Sequence, residues 1–228
     1  MNFYQFFITK YTALNNQVKC FSFFFTLMTF YSIFLWMLPK NNWVLIPALF
    51  FAGWISWTFF EYILHRFWMH DKDSVDDSPM AQRHHHHHTH PTEIKVTAVQ
   101  RLVLILIVSA LVIFSLWFMI YFLIVAGFVF GFAGYTLMHW VLHQRWSAKI
   151  FPRLNRHHIY HHCKFPNSCY GVSVCWWDLL FKTTPPGDPV LVQRIIDFYF
   201  GDVPKKKQAI GNRQYATQVA VPNKSEVV

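Results

Sequence analysis

His65–His70 reads HRFWMH and residues 83–91 read RHHHHHTHP; further along, 139–143 read HWVLH and 156–162 read RHHIYHH. An offset of 74 carries His65, His84, His87 and His88 onto His139, His158, His161 and His162. The fifth member slips by one place: His70 maps to Gln144, and the histidine is His143. Four coincidences at one offset mark a duplicated metal-binding half, and the rest of the chain is read outward from it.

The spacings carry mechanical meaning. Residues three and four apart share a helix face. His84, His87 and His88 are therefore expected to converge, as are His158, His161 and His162, and His139 with His143. His65 and His70 are five apart, which turns them roughly 140° from each other on an α-helix. That pair must straddle a helix end or serve two metals. Ten imidazoles are too many for one zinc and suit two metals of roughly five- or six-fold coordination. An all-nitrogen set without a cysteine motif fits Fe, Zn, Cu or Ni. His85, His86, His90 and His157 fall outside the repeat and are not expected to be ligands. A purification tag or a metal-scavenging His-rich loop would explain 84–90 alone, not the matching second half.

The 228 residues are 54% hydrophobic and only 14% charged, with 25 Phe, 10 Trp and 10 Tyr, a composition that points to lipid and to one compact bundle. The net charge of +9 comes from basic residues that flank apolar runs without any nucleic-acid-binding motif. A membrane surface, not nucleic acid, is the expected partner. Cys20, Cys163, Cys169 and Cys175 form no C-x-x-C pair, so disulfides are not expected. Residues 1–19 read as an interfacial lead-in, with no small-residue cleavage site of a signal peptide.

Apolar runs cover about 21–38 and 43–64, separated by Pro39-Lys40-Asn41-Asn42, and then 102–142. The last run would make a rod of roughly 60 Å, twice the hydrocarbon thickness, so it must fold back. Gly127, Gly131 and Gly134 predict a turn near 124–128 followed by close helix packing. The expected fold is an all-α integral membrane protein with four spans (21–38, 43–64, 102–123 and 127–143) in two hairpins. A helical cap built from 65–101 and 144–201 would hold the histidines, all within a single domain of residues 1–201. Of 20 Lys and Arg only Lys40 lies in an outer turn, which places both termini and both histidine sets on the cytoplasmic side. Trp176, Trp177, Leu179, Leu180 and Phe181 are expected to dock at the interface or cap the site. The polar residues 202–228 read as a mobile tail. Glu61, the one acid inside a span, lies four before His65 and is assigned to orienting that imidazole. Snorkelling to the interface is the alternative.

The ordered segments EYILHRFWMH, H-x-x-HH-T-H-P, GYTLMHWVLH and RHHIYHH…YGVSVCWWDLLF resemble the fatty acid hydroxylase superfamily, most nearly the fatty acid and sphingolipid 2-hydroxylases, from about Trp57 to Pro186. The resemblance implies a four-span, O₂-dependent membrane monooxygenase that hydroxylates a lipid acyl chain. Two metal ions are implied, iron physiologically, with zinc a frequent occupant after purification. The implied metal ligands are His65, His70, His84, His87, His88, His139, His143, His158, His161 and His162. A separate electron donor of cytochrome b5 or ferredoxin type is expected, since no haem module precedes the bundle. The family's Tyr-Asp before the third box is here Tyr135-Thr136. HQRW after His143 is similar to carotenoid ring hydroxylases, the runner-up alongside sterol-type oxidases and desaturases. The rival outside enzymes is a metal transporter or binder. A bacterial inner membrane and an endoplasmic reticulum fit equally.

Overall fold

A computed structural model describes residues 3–37, 43–70, 78–187 and 190–201. Every regular element among them is helical. Residues 38–42, the acidic stretch 71–77 and residues 202–228, read from sequence as a mobile tail, lie outside the described residues.

Helix α1 runs unbroken from Phe3 to Met37, so the expected interfacial lead-in and the first apolar run are one helix. It is followed by α2 (Leu45–Ile63), which continues into a π-helical turn, Leu64–Met69. Next come α3 (Pro79–Thr89), α4 (Ala98–Trp117) and α5 (Leu123–Leu142). The short α6 (Ser147–Ile150), α7 (Pro152–Cys163), α8 (Trp176–Leu180) and α9 (Gln193–Phe200) complete the chain. Three stretches among the described residues are long and apolar enough to cross a membrane: Leu45–Met69, Ala98–Trp117 and Ile120–Leu142.

The break in the long apolar run falls at 118–122, not at 124–128. The reason lies at the other end of the helix. Thr97 and Gln100 form a reciprocal capping box that starts α4 at Ala98. Twenty residues from there, ending at Trp117, measure about 30 Å, the thickness of a bilayer's hydrocarbon. The glycines do something else. A methyl on Gly127 would collide with the Phe50 carbonyl, one on Gly53 with the Ile124 carbonyl, and one on Gly131 with the Trp57 side chain. They let the backbones of α2 and α5 approach closely, the small-residue device of membrane helix pairs. Gly134 has nothing within 4 Å of such a methyl and takes no part in that packing.

Helix α4 packs on α5 but leaves most of its apolar side chains exposed, burying only Ser115, as expected of a lipid-facing helix. On the opposite side Cys20 of α1 joins Phe59, Tyr62, Ile63, Tyr170 and Trp177 in a core cluster. The aromatic run of α8 is therefore divided: Trp177 is buried there, while Trp176, Leu179 and Leu180 stay exposed. All four cysteines are free thiols.

Candidate metal centre

The four histidine-bearing segments meet at one end of α2 and α5. Pro79 at the first turn and the Ser78 side chain, which accepts from the Ala81 N–H, start α3 just ahead of its histidines. Pro152 starts α7 in the same way.

Ten side chains gather into two groups of five. One holds His65, His70, His84, His88 and His161; the other holds His87, His139, His143, His158 and His162. In each group one nitrogen per residue lies within 4.8 Å of all the others. These are the ten histidines singled out by the repeat, while His85, His86, His90 and His157 belong to neither group.

The partition differs from the expected one. His84 and His88, four apart on α3, stay together, whereas His87 points into the other group. The same happens on α7, where His158 and His162 pair and His161 crosses. His87 and His161 are equivalent under the 74-residue offset, so the halves exchange one imidazole each. Neither half contains a whole group.

The five-residue spacing of His65 and His70 is resolved by the π-helical turn between them. Its i→i+5 winding brings residues five apart towards one face, and both imidazoles enter one group. In the second half His139 and His143, four apart, ride regular α winding at the end of α5. The one-residue slip in the repeat is thus an extra residue absorbed as a π-bulge.

Short contacts define the centres. In the first group His84 Nε2 lies 3.0 Å from His65 Nε2, 2.8 Å from His70 Nε2 and 2.9 Å from His88 Nε2, and His70 and His161 are 3.0 Å apart. In the second, His87 Nε2 lies 2.9 Å from His139 and 3.1 Å from His143, with His143 3.2 Å from His158. One N–H cannot satisfy three nitrogens at once. Moreover, His65 Nδ1 donates to the Tyr170 carbonyl and His161 Nδ1 to the Ser168 carbonyl, so their Nε2 atoms are bare lone pairs. Lone pairs crowded at this distance suit a shared cation. Two nitrogens about 2.1 Å from a common ion and at right angles stand about 3.0 Å apart. The residues fit two metal ions, five imidazoles each, and the rings of His88 and His162 stack at 4.3 Å where the groups abut.

Electrostatics agree with this. Burial holds His70, His84, His88, His143, His158, His161 and His162 well below the ordinary imidazole value, and neighbouring imidazoles push the same way. Burial likewise brings His87 down to about 4. Neutral rings keep their lone pairs for a metal.

Two buried acids hold the loop that supports the first group. Glu61 does not touch His65. It is buried, not snorkelling, and its carboxylate accepts from the N–H groups of Val172 and Ser173 at 2.8 and 2.9 Å and from the Ser173 hydroxyl. Asp178 accepts from the N–H groups of Tyr170 and Gly171 at 2.9 and 2.8 Å, from the Thr183 hydroxyl, and from His157 Nε2 at 3.0 Å. Burial disfavours charge on His157, yet the hydrogen bonds to Asp178 and to the sulfurs of Cys169 and Cys175 outweigh it and raise its pKa to about 12. The ion pair stiffens the loop from beneath. Asp178 sits in WWDLL and escaped the sequence reading, although a lone acid in an apolar run was a usable signal. The second group is braced by Tyr199, fully buried, whose ring stacks on His143 at 4.7 Å and whose hydroxyl donates to the Leu142 carbonyl at 3.1 Å. Asn155 donates to that same carbonyl and to the Ser147 hydroxyl.

A sequence profile of the fatty acid hydroxylase family matches residues 50–183, more than half of the chain. Similar proteins include "Dihydroceramide fatty acyl 2-hydroxylase FAH2" of Arabidopsis thaliana, 30% identical over 58% of this chain and 59% of that one. "Fatty acid 2-hydroxylase" of Mus musculus is 28% identical over 66% of this chain and 42% of that one. "Ceramide very long chain fatty acid hydroxylase scs7" of Schizosaccharomyces pombe is 29% identical over 60% and 42%. The matched regions span about half the length of these relatives. Among solved structures, full-length scs7p with only its hydroxylase domain visible aligns at a TM-score of 0.45 and 24% identity, covering 73% of this chain and 66% of that one. The matched residues contain all ten histidines of the two groups and the acids that brace them, and the chain belongs to the fatty acid hydroxylase family.

Proposed function

We propose that this protein is a multi-pass membrane monooxygenase that inserts a hydroxyl group into a lipid acyl chain, at carbon 2 next to the carboxyl or amide head. The observation that carries it is the pair of five-imidazole groups at one end of the apolar helix pair α2–α5. The relatives' names supply the acyl chain and the position. All ten histidines are assigned as metal ligands.

Two iron ions held there would supply O₂ activation and attack on a C–H bond, one oxygen atom entering the lipid and the other leaving as water, with electrons from an external donor. The chain's own residues do the rest. Burial keeps the imidazoles neutral, and the Tyr170 and Ser168 carbonyls fix the tautomers of His65 and His161. Trp57, Phe128, Phe132 and Tyr135 form an aromatic run along α2 and α5 that ends on His139, where the Tyr135 ring lies 5.8 Å away and nearly parallel. This run is assigned to gripping the alkyl chain and keeping water from it, while the polar head stays at the rim. Helix α1 supplies a fourth span, with both termini and the metal centre on the cytoplasmic side. The basic rim suits an acidic electron-transfer protein of cytochrome b5 or ferredoxin type.

The test is lipid mass spectrometry of aerobic, iron-replete cells expressing the protein and a working donor, beside His161→Ala. A lipid heavier by one oxygen, hydroxylated at carbon 2 and missing in the variant, is expected. Identical lipid profiles would defeat the assignment, and a loss of two hydrogens would make the protein a desaturase.

A further inference from the structure

A cavity of about 380 Å³ opens beside the end of α2, away from both histidine groups. Lys19, Arg66 and Lys182 line it together with Asn16, and among the described residues no carboxylate does. Cys20 and Phe181 close its apolar floor. Arg66 is half-buried, and among the described residues it contacts the Tyr62 hydroxyl at 2.8 Å, the Cys20 sulfur and the faces of Tyr62 and Phe67, none of them an anion. Lys182 holds a left-handed backbone at φ 54°, a conformation that a glycine takes without strain and a lysine does not. Three cations converging with no carboxylate among the described lining residues form a receptor for an anion.

We infer that this cavity binds the phosphodiester of an anionic membrane lipid, separately from the substrate. Its surroundings argue for lipid over a soluble anion: the exposed Leu180 lines the cavity next to the exposed Leu179, and the exposed Phe23 of α1 packs on the lining residue Phe181, an apolar surface for acyl chains beside the cations. It does not open onto the metal centre. Tyr62, fully buried, packs between Phe181 at 5.4 Å and Tyr170 at 6.1 Å and walls the cavity off from His65. The wall also transmits. Arg66 donates to the Tyr62 hydroxyl, which bonds Thr183, which donates to Asp178, which holds the Tyr170 N–H; the Tyr170 carbonyl in turn accepts from His65. This chain of hydrogen bonds ties Arg66 to the first histidine group. The inference rests on this edge lying at the bilayer surface and not on the reaction catalysed.

Native mass spectrometry of the full chain, titrated with phosphatidylglycerol or phosphatidylcholine, tests it without any turnover. Lys19→Gln/Lys182→Gln is compared with the wild type and with Lys95→Gln/Lys149→Gln, which loses the same charge at exposed positions elsewhere. The expected result is phosphatidylglycerol affinity weakened on the order of tenfold or more in the first variant only, restored in Lys19→Arg/Lys182→Arg, with phosphatidylcholine binding all forms alike. Unchanged phosphatidylglycerol binding in the first variant, or equal weakening in the control pair, overturns the site. Displacement of the lipid by millimolar inorganic phosphate overturns the lipid assignment. An unchanged thermal midpoint in phosphatidylcholine shows that the variant is folded, so lost binding reports on the cavity.

Discussion

The two histidine groups are images of each other under the 74-residue repeat, yet they are held by different means. The first leans on backbone: carbonyls of Tyr170 and Ser168 receive the N–H groups of His65 and His161, and Glu61 and Asp178 hold the loop that carries those carbonyls. The second leans on packing, with the Tyr199 ring stacked on His143 and no hydrogen-bond partner for the Nδ1 atoms of His143 and His158 among the described residues. The repeat preserves the histidines and their order, while the supports come from chain that lies outside it. A carbonyl acceptor makes its imidazole more basic and locks its orientation. The first site is therefore expected to bind its metal more tightly, and the second to exchange it more readily.

Removing a crossing imidazole has the largest expected effect. His161→Ala takes a ligand from the first group and His87→Ala from the second; each variant should retain one metal of two and lose product formation by more than about 100-fold. Elemental analysis beside product mass spectrometry checks this, and loss of both metals from either variant would break the picture of separable sites. Acid comes next. Folding lowers the pKa of His87 from 6.5 to about 4, so the neutral ring's contribution is complete above pH 6.5 and disappears as pH falls towards 4. That single group accounts for roughly 3 kcal/mol. The other buried ligands shift in the same direction, so the melting temperature of chelator-treated protein should fall steeply across this window. A flat profile would mean that the rings are solvated.

Asp178→Asn should loosen only the first site, lowering its metal affinity by about 10- to 100-fold while the second keeps its own, as read by chelator competition. Equal weakening of both sites would erase the distinction drawn between them. The smallest effect belongs to Tyr199→Phe, which keeps the ring on His143 and removes one hydrogen bond to Leu142. A stability loss of about 1 kcal/mol with unchanged metal content is expected from thermal unfolding, and metal loss would show that the hydroxyl, not the stack, supports the second site.

Much of this was legible in the residues. The apolar runs and the ten histidines stand in local sequence, because a span needs only length and a candidate ligand needs only an imidazole. The turn at 118–122 was misplaced because glycine is read as a turn former, whereas Gly127 and Gly131 serve close contact with α2. Glu61 was set on the correct face of its helix but given the wrong partner, since Val172 and Ser173 lie more than a hundred residues away.

The sequence by itself determined the helical class with its long apolar runs, the set of ten histidines and the twofold plan, all of which follow from composition and periodicity along one segment. Only the tertiary structure decided that His87 and His161 trade places, that a π-turn aligns His65 with His70, and that carbonyls of a distant loop orient the first site. Those outcomes depend on how separate helices pack, and the direction in which a side chain points across an interface is not written in the spacing of its own helix.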